Sequence, residues 1–176
     1  MFSLLHVALY RLTRLIAMFG ALFLMGGMLV TCADIFIRNF GNGIFGTTEM
    51  VQLSVVMLAF LAIPYTFLAE GHIAVEIFTD RWGARAQALA RAFGAALGIF
   101  FMTALFWFGL IKALQKIEYG DVSMNLGIPL GFFWAPMIAG FGLSVLALLL
   151  QFTGHLAQAL TGRPILPPPP GPTLPE

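Results

Sequence analysis

Four long stretches without a charged residue decide what this chain can fold into. Leu15 to Ala33 runs for 19 residues, Met50 to Ala69 for 20, and Ala92 to Ile111 for 20. A fourth stretch, Val122 to Gly162, goes 41 residues without Asp, Glu, Lys or Arg, and its dense apolar part is Phe132 to Phe152. An α-helix rises ~1.5 Å per residue, so roughly 17–25 apolar residues cross the ~30 Å hydrocarbon core of a bilayer. Backbone polar groups find no water there, which leaves helices and closed barrels as the only spanning structures. Barrel strands read as short alternating blocks, whereas these runs are continuous. The expectation is an all-α integral membrane fold with four transmembrane helices over about 15–37, 49–69, 86–114 and 130–153, within a membrane domain of residues 1–162.

Composition excludes the alternatives. Only 10% of the 176 residues are charged, against about 25% in globular domains, so a soluble fold would have too little polar surface to show water. The net charge is +1 and the nine Lys and Arg are scattered, so no nucleic-acid partner is expected. The single Cys32 allows no internal disulfide and no CxxC metal or redox site; no cofactor is expected. Arg11 and Arg14 before the first run would suit a signal peptide, but its apolar core is longer than the usual ~7–15 residues. The first run therefore reads as a retained span. Pro64 should kink the second span or mark its last turn. The tail 163–176, with six of the ten prolines between Pro167 and Pro175, should be extended and disordered.

Cytoplasmic loops carry the excess of Lys and Arg. One side collects Arg11, Arg14, Arg81, Arg85, Arg91 and Arg163; the other collects Arg38, Lys112 and Lys116. This bias puts both termini and segment 70–91 in the cytoplasm, and the loops near 38–49 and 115–130 outside.

Most of the polar information lies at the ends of spans. Asp34 and Arg38 are four apart, share a helical face and can pair; alternatively Arg38 reaches Glu49 across the Gly- and Asn-rich loop between them. His72, Glu76 and Asp80 form a polar stripe at four-residue spacing. Ile73, Val75, Ile77, Phe78 and Trp82 fill the rest of the circumference. Segment 71–82 is thus expected to be a short amphipathic interfacial helix in contact with membrane lipid, anchored by Trp82. A metal between His72 and Glu76 is disfavoured, because no Cys or second His lies nearby. His6, His72 and His155 all fall near the cytoplasmic surface, and none is expected to be buried in the bundle. Ala90, Gly94 and Gly98 suggest a close-packing face in the third span. Ala135, Ala139, Gly140 and Ser144 suggest one in the fourth. No Asp, Glu, Lys, Arg or His lies near the middle of any span. Such residues are the usual marks of ion paths, proton relays and substrate sites.

The order of these features resembles the small membrane (Q) subunit of tripartite ATP-independent periplasmic (TRAP) transporters. The resemblance covers about Leu15 to Leu150. It rests on Arg38 ending the first span, Thr48-Glu49 opening the second, Gly71-His72-Ile73 with Val75-Glu76 after it, and Ser123 to Pro136, with Ile128-Pro129, before the fourth. Thr47 and Met50 stand where the family often has Trp and a second acidic residue. The resemblance implies a bacterial or archaeal cytoplasmic (inner) membrane protein that braces a large (M) permease subunit. It further implies a periplasmic solute-binding protein as partner and sodium-driven import of small organic acids, of the C4-dicarboxylate or sugar-acid type. No catalytic residue is implied, and Asp34, Arg38, Glu49, His72, Glu76, Trp82 and Pro129 become interface or structural positions. Two rivals remain at this stage: a haem-anchoring subunit of a membrane oxidoreductase, and a self-sufficient small oligomeric transporter.

Overall fold

The computed structural model describes residues 2–69 and 84–161. Segment 71–82, with His72, Glu76 and Trp82, and the Pro-rich tail lie outside the described residues. Those described form four helices: α1 (Phe2–Arg38), α2 (Thr47–Leu68), α3 (Ala84–Glu118) and α4 (Gly131–Thr161). All four are long and apolar enough to cross a membrane, and no β-strand is present among the described residues.

The helices are longer than the expected spans. At ~1.5 Å per residue the 37 residues of α1 extend ~56 Å, nearly twice the ~30 Å hydrocarbon core. Charge marks where a helix leaves hydrocarbon, not where it ends. Arg11 and Arg14 sit inside α1, and Arg91, Lys112 and Lys116 sit inside α3.

The four helices stand in a row rather than closing into a bundle. α1 packs on α2, α2 on α4 and α4 on α3, while α1 only grazes α4. The row is made of two hairpins. In α1–α2, Gly20 lies against the backbone of Leu58 and Gly27 against Ser54, so those helices run antiparallel. In α3–α4, Gly98 lies against Leu148 and Gly109 against Met137, again antiparallel. The hairpins join through α2 and α4, which run parallel: Phe60 meets Gly140, and further along Phe67 meets Gln151.

Small and polar residues draw these seams, because lipid offers no hydrophobic drive between helices and close packing must supply it. In α1 buried residues recur every seven positions, at His6, Thr13, Gly20, Gly27 and Asp34, and the two glycines among them lie against α2. A seven-residue repeat is the period of left-handed helix pairs. In α3 the seam is Ala88, Ala92, Ala95, Gly109 and Ala113. This corrects the expected face: Gly98 touches α4, but Gly94 has open space beside it. In α4, Gly140 and Ser144 are buried as expected, whereas Ala135 and Ala139 are exposed.

The α2–α4 contact is the tightest. Pro64 has no N–H to give the Phe60 carbonyl, the loss that proline causes one turn upstream. Gly140 of α4 fills the space against that oxygen so closely that a Cβ there would collide with it. Gly140 lets the backbone of α4 close directly on that carbonyl. Pro64 thus marks the last turn of α2 and provides an interhelical contact.

Candidate functional site

The loops 39–46 and 119–130 share one end of the row, here termed the rim. Two carboxylates organise it. Asp34, in the last turn of α1, is 5% exposed. Its Oδ1 accepts a hydrogen bond from the Ile44 N–H at 2.6 Å, and its Oδ2 accepts one from Arg38 Nη2 at 2.8 Å. One oxygen therefore folds the 39–46 loop back over the helix end, and the other holds the guanidinium. The Arg38 side chain remains 70% exposed.

Glu49, in the first turn of α2, is the second organiser. It is 7% exposed. Its Oε1 accepts from the Asn125 N–H, and its Oε2 accepts from the Leu126 N–H and from Ser123 Oγ, all at 2.8 Å. An ionised carboxylate is acceptor-only, so three donors suit it fully. Ser123 Oγ in turn accepts from the Ile128 N–H at 3.1 Å. The turn is closed by a bridge between Val122 and Pro129, with the Ser123 N–H donating to Ile128 O at 2.8 Å. Gly46, which caps α2, has φ +79°, and a side chain there would strike Leu126. The start of α2 and the approach to α4 are thereby moulded to each other. Pro129 closes this turn, and its carbonyl accepts the Phe132 N–H as α4 begins.

Of the two pairings the sequence offers Arg38, the one with Asp34 is formed and the one with Glu49 is not. Arg38 is paired with Asp34 on its own helix, and Glu49 is consumed by the backbone of the 123–126 turn. No cation was needed there, so opposite charge identifies the partner of Arg38 but not those of Glu49. The partner that sequence reasoning missed is the Ser123-Met124-Asn125-Leu126 turn. Its signal was a stretch with Gly127 and Pro129 but no Lys or Arg to answer a carboxylate.

At the opposite end of the seam, Gln151 Nε2 donates to the carbonyl oxygen of Phe67 in the last turn of α2. The last carbonyls of a helix lack intrahelical donors, and in lipid they need a partner from elsewhere. The α2–α4 seam is therefore locked by side chains at both ends. Tyr10 and Tyr65 add a hydroxyl contact at 3.2 Å between α1 and α2. The structure corrects the expectation that no histidine is buried: His6 and His155 are both buried, at 8% and 5% exposure. They stand on α1 and α4, which only graze each other. Among the described residues no group of three or more His, Cys, Asp or Glu is placed to hold a metal ion.

These features define a multi-pass helical membrane protein whose polar side chains join helices and shape loops at the ends of the spans. Residues 27–158 match the family model of the tripartite ATP-independent periplasmic transporters, DctQ component. The chain belongs to that family and is a small permease subunit of a TRAP transporter. Comparison with curated proteins and with solved structures gave no match.

Proposed function

We propose that this chain is the static brace of a sodium-driven TRAP importer of small organic acids, of C4-dicarboxylate or sugar-acid type. It holds the large permease subunit at the right depth while that subunit carries the substrate. The rim faces the periplasm, where the soluble solute-binding protein docks, and both termini lie in the cytoplasm of the bacterial or archaeal cell.

One observation carries this reading. The buried polar side chains at the α2–α4 seam, Glu49, Ser144 and Gln151, bond to backbone or to a neighbouring turn. Glu49 and Gln151 hold α2 to the turn before α4 and to α4 itself, and Ser144 bonds within its own helix, so among the described residues these groups are committed to structure. A row with two broad faces also suits a brace better than a carrier, which needs an enclosed site.

The test is sodium-driven uptake in proteoliposomes that contain this chain, the large subunit and the binding protein, each omitted in turn. Uptake should need all three. Uptake that persists without this chain would refute the bracing role, and uptake by this chain alone would favour the self-sufficient transporter. Reporter fusions at Gly43 and Gly120 should score periplasmic; a cytoplasmic score would reverse the orientation.

A further inference from the structure

We infer that the notch at the rim end of α1 holds the headgroup of a glycerophospholipid, with its phosphate on Arg38. A concavity of about 350 Å³ is lined there by Asp34, Ile35, Arg38 and Asn39. Asp34 is the buried floor of this notch, and Ile35, Arg38 and Asn39 around it are exposed. The inference needs only that the chain spans a membrane.

Depth comes first. The uncharged run of α1 ends at Ala33, so Arg38 stands about one turn above the hydrocarbon, at headgroup level. Below it on the same flank lie Ile35, 66% exposed, and two turns down Met28, 62% exposed. An acyl chain placed on Met28 and Ile35 brings its phosphate to Arg38.

Charge comes second. Asp34 is a buried anion, but its two oxygens are taken by the Ile44 N–H and by Arg38 Nη2. The group that faces outward is the guanidinium, with its side chain 70% exposed against 8% for Asp34. A guanidinium has five N–H donors in a fixed fork, and that fork matches phosphate oxygens two at a time. Asp34 takes one donor and fixes the direction of the rest, so little side-chain freedom is lost when phosphate binds. Asn39, at the lip, adds an amide suited to the glycerol esters or the headgroup.

The probe is phosphatidylethanolamine bound to the full-length chain in detergent, counted by native mass spectrometry. Diacylglycerol with the same acyl chains serves as the headgroup-free comparison. Wild type should retain the phospholipid and not diacylglycerol. Arg38→Gln should lower its occupancy roughly tenfold or more, the effect of losing hydrogen bonds to a charged group. Arg38→Lys should fall between, and Lys112→Gln, on α3, should match wild type. Unchanged occupancy in Arg38→Gln would overturn the inference, because the phosphate would then sit elsewhere. Equal retention of diacylglycerol would overturn it too, since acyl contact alone would explain binding. That arm uses only wild type and stands even if a variant fails to fold. Loss of the lipid when the large subunit is added would show that protein fills the notch, again contradicting it.

Discussion

The inner pair of helices and the outer pair solve different problems. α2 and α4 touch on both sides; α1 and α3 touch on one. In the most apolar stretch of α2 and of α4, 22% and 33% of residues are buried, against 11% in α1 and in α3. Among large apolar residues α2 exposes Met50 and Val55, while α3 exposes Phe93, Phe100, Phe101, Trp107 and Phe108 among others. The inner seam is built from small residues, freed carbonyls and side chains aimed at backbone. The outer flanks are built from bulk. The lesson is that in lipid, polarity and smallness mark what is held fast, and large apolar side chains mark what is offered to lipid or to another subunit.

The strongest way to break this contrast is to place one side chain at two glycines. Gly140→Leu drives a Cβ into the Phe60 carbonyl, and backbone cannot step aside as a flexible side chain can. Overpacking costs ~1–3 kcal/mol and sometimes more, so this variant should lose the folded state in thermal or SDS unfolding. Gly94→Leu enters open space and should stay within ~0.5–1 kcal/mol of wild type, helped by leucine's higher helix propensity. Similar losses at both positions would end the distinction between seam and flank.

Next come the two rim residues. Glu49→Gln keeps one carbonyl acceptor but turns an amide N–H₂ towards donors, leaving a backbone N–H of the 123–126 turn unanswered. A lost hydrogen bond to a charged group costs ~1.5–3 kcal/mol, and unfolding measurements should register that loss. Arg38→Ala removes an exposed ion-pair partner, worth ~0–1 kcal/mol. Because Arg38 and Glu49 are not partners, Arg38→Glu combined with Glu49→Arg should be no better than Glu49→Arg alone. Rescue by the swap would restore the pairing that the geometry rejects.

At the other end of the seam, Gln151→Leu leaves the Phe67 carbonyl without this donor and should cost ~1 kcal/mol, as interhelical hydrogen bonds in membranes do. The smallest effects belong to the flanks. Phe101→Leu and Phe108→Leu should leave unfolding within ~0.5 kcal/mol of wild type, and a larger shift would place those rings in a packed interior.

Much of this was written in the sequence. The number of spans followed from run length, because hydrocarbon thickness is a fixed ruler. Asp34, Glu49 and Pro129 stood out as polar or turn-forming positions beside apolar runs. What escaped notice had physical reasons. Helix ends could not be read from Arg11, Arg14 or Lys116, since a helix continues through the headgroups into water. The heptad His6, Thr13, Gly20, Gly27 and Asp34 was visible, but glycines are common in spans and only a neighbour turns a period into a seam. The row itself was not legible. Four apolar helices can close or lie side by side, and the choice rests on contacts such as Gly140 on Phe60 that pair distant residues. Of Glu49's three partners one is the Ser123 hydroxyl, 74 residues away; the other two, 76 and 77 residues away, are backbone N–H groups, which every residue type except proline carries, so no side chain announces them.

The claim that a rim carboxylate ties the two hairpins together is tested most directly by a double-mutant cycle. Unfolding free energies would be measured for Glu49→Gln, Ser123→Ala and the pair, in the same detergent. A direct contact at 2.8 Å predicts that the two losses overlap, with a coupling of ~0.5–3 kcal/mol, the range for residues in one hydrogen-bond network. Losses that simply add would mean that Glu49 and Ser123 do not meet, and that the hairpins are joined some other way.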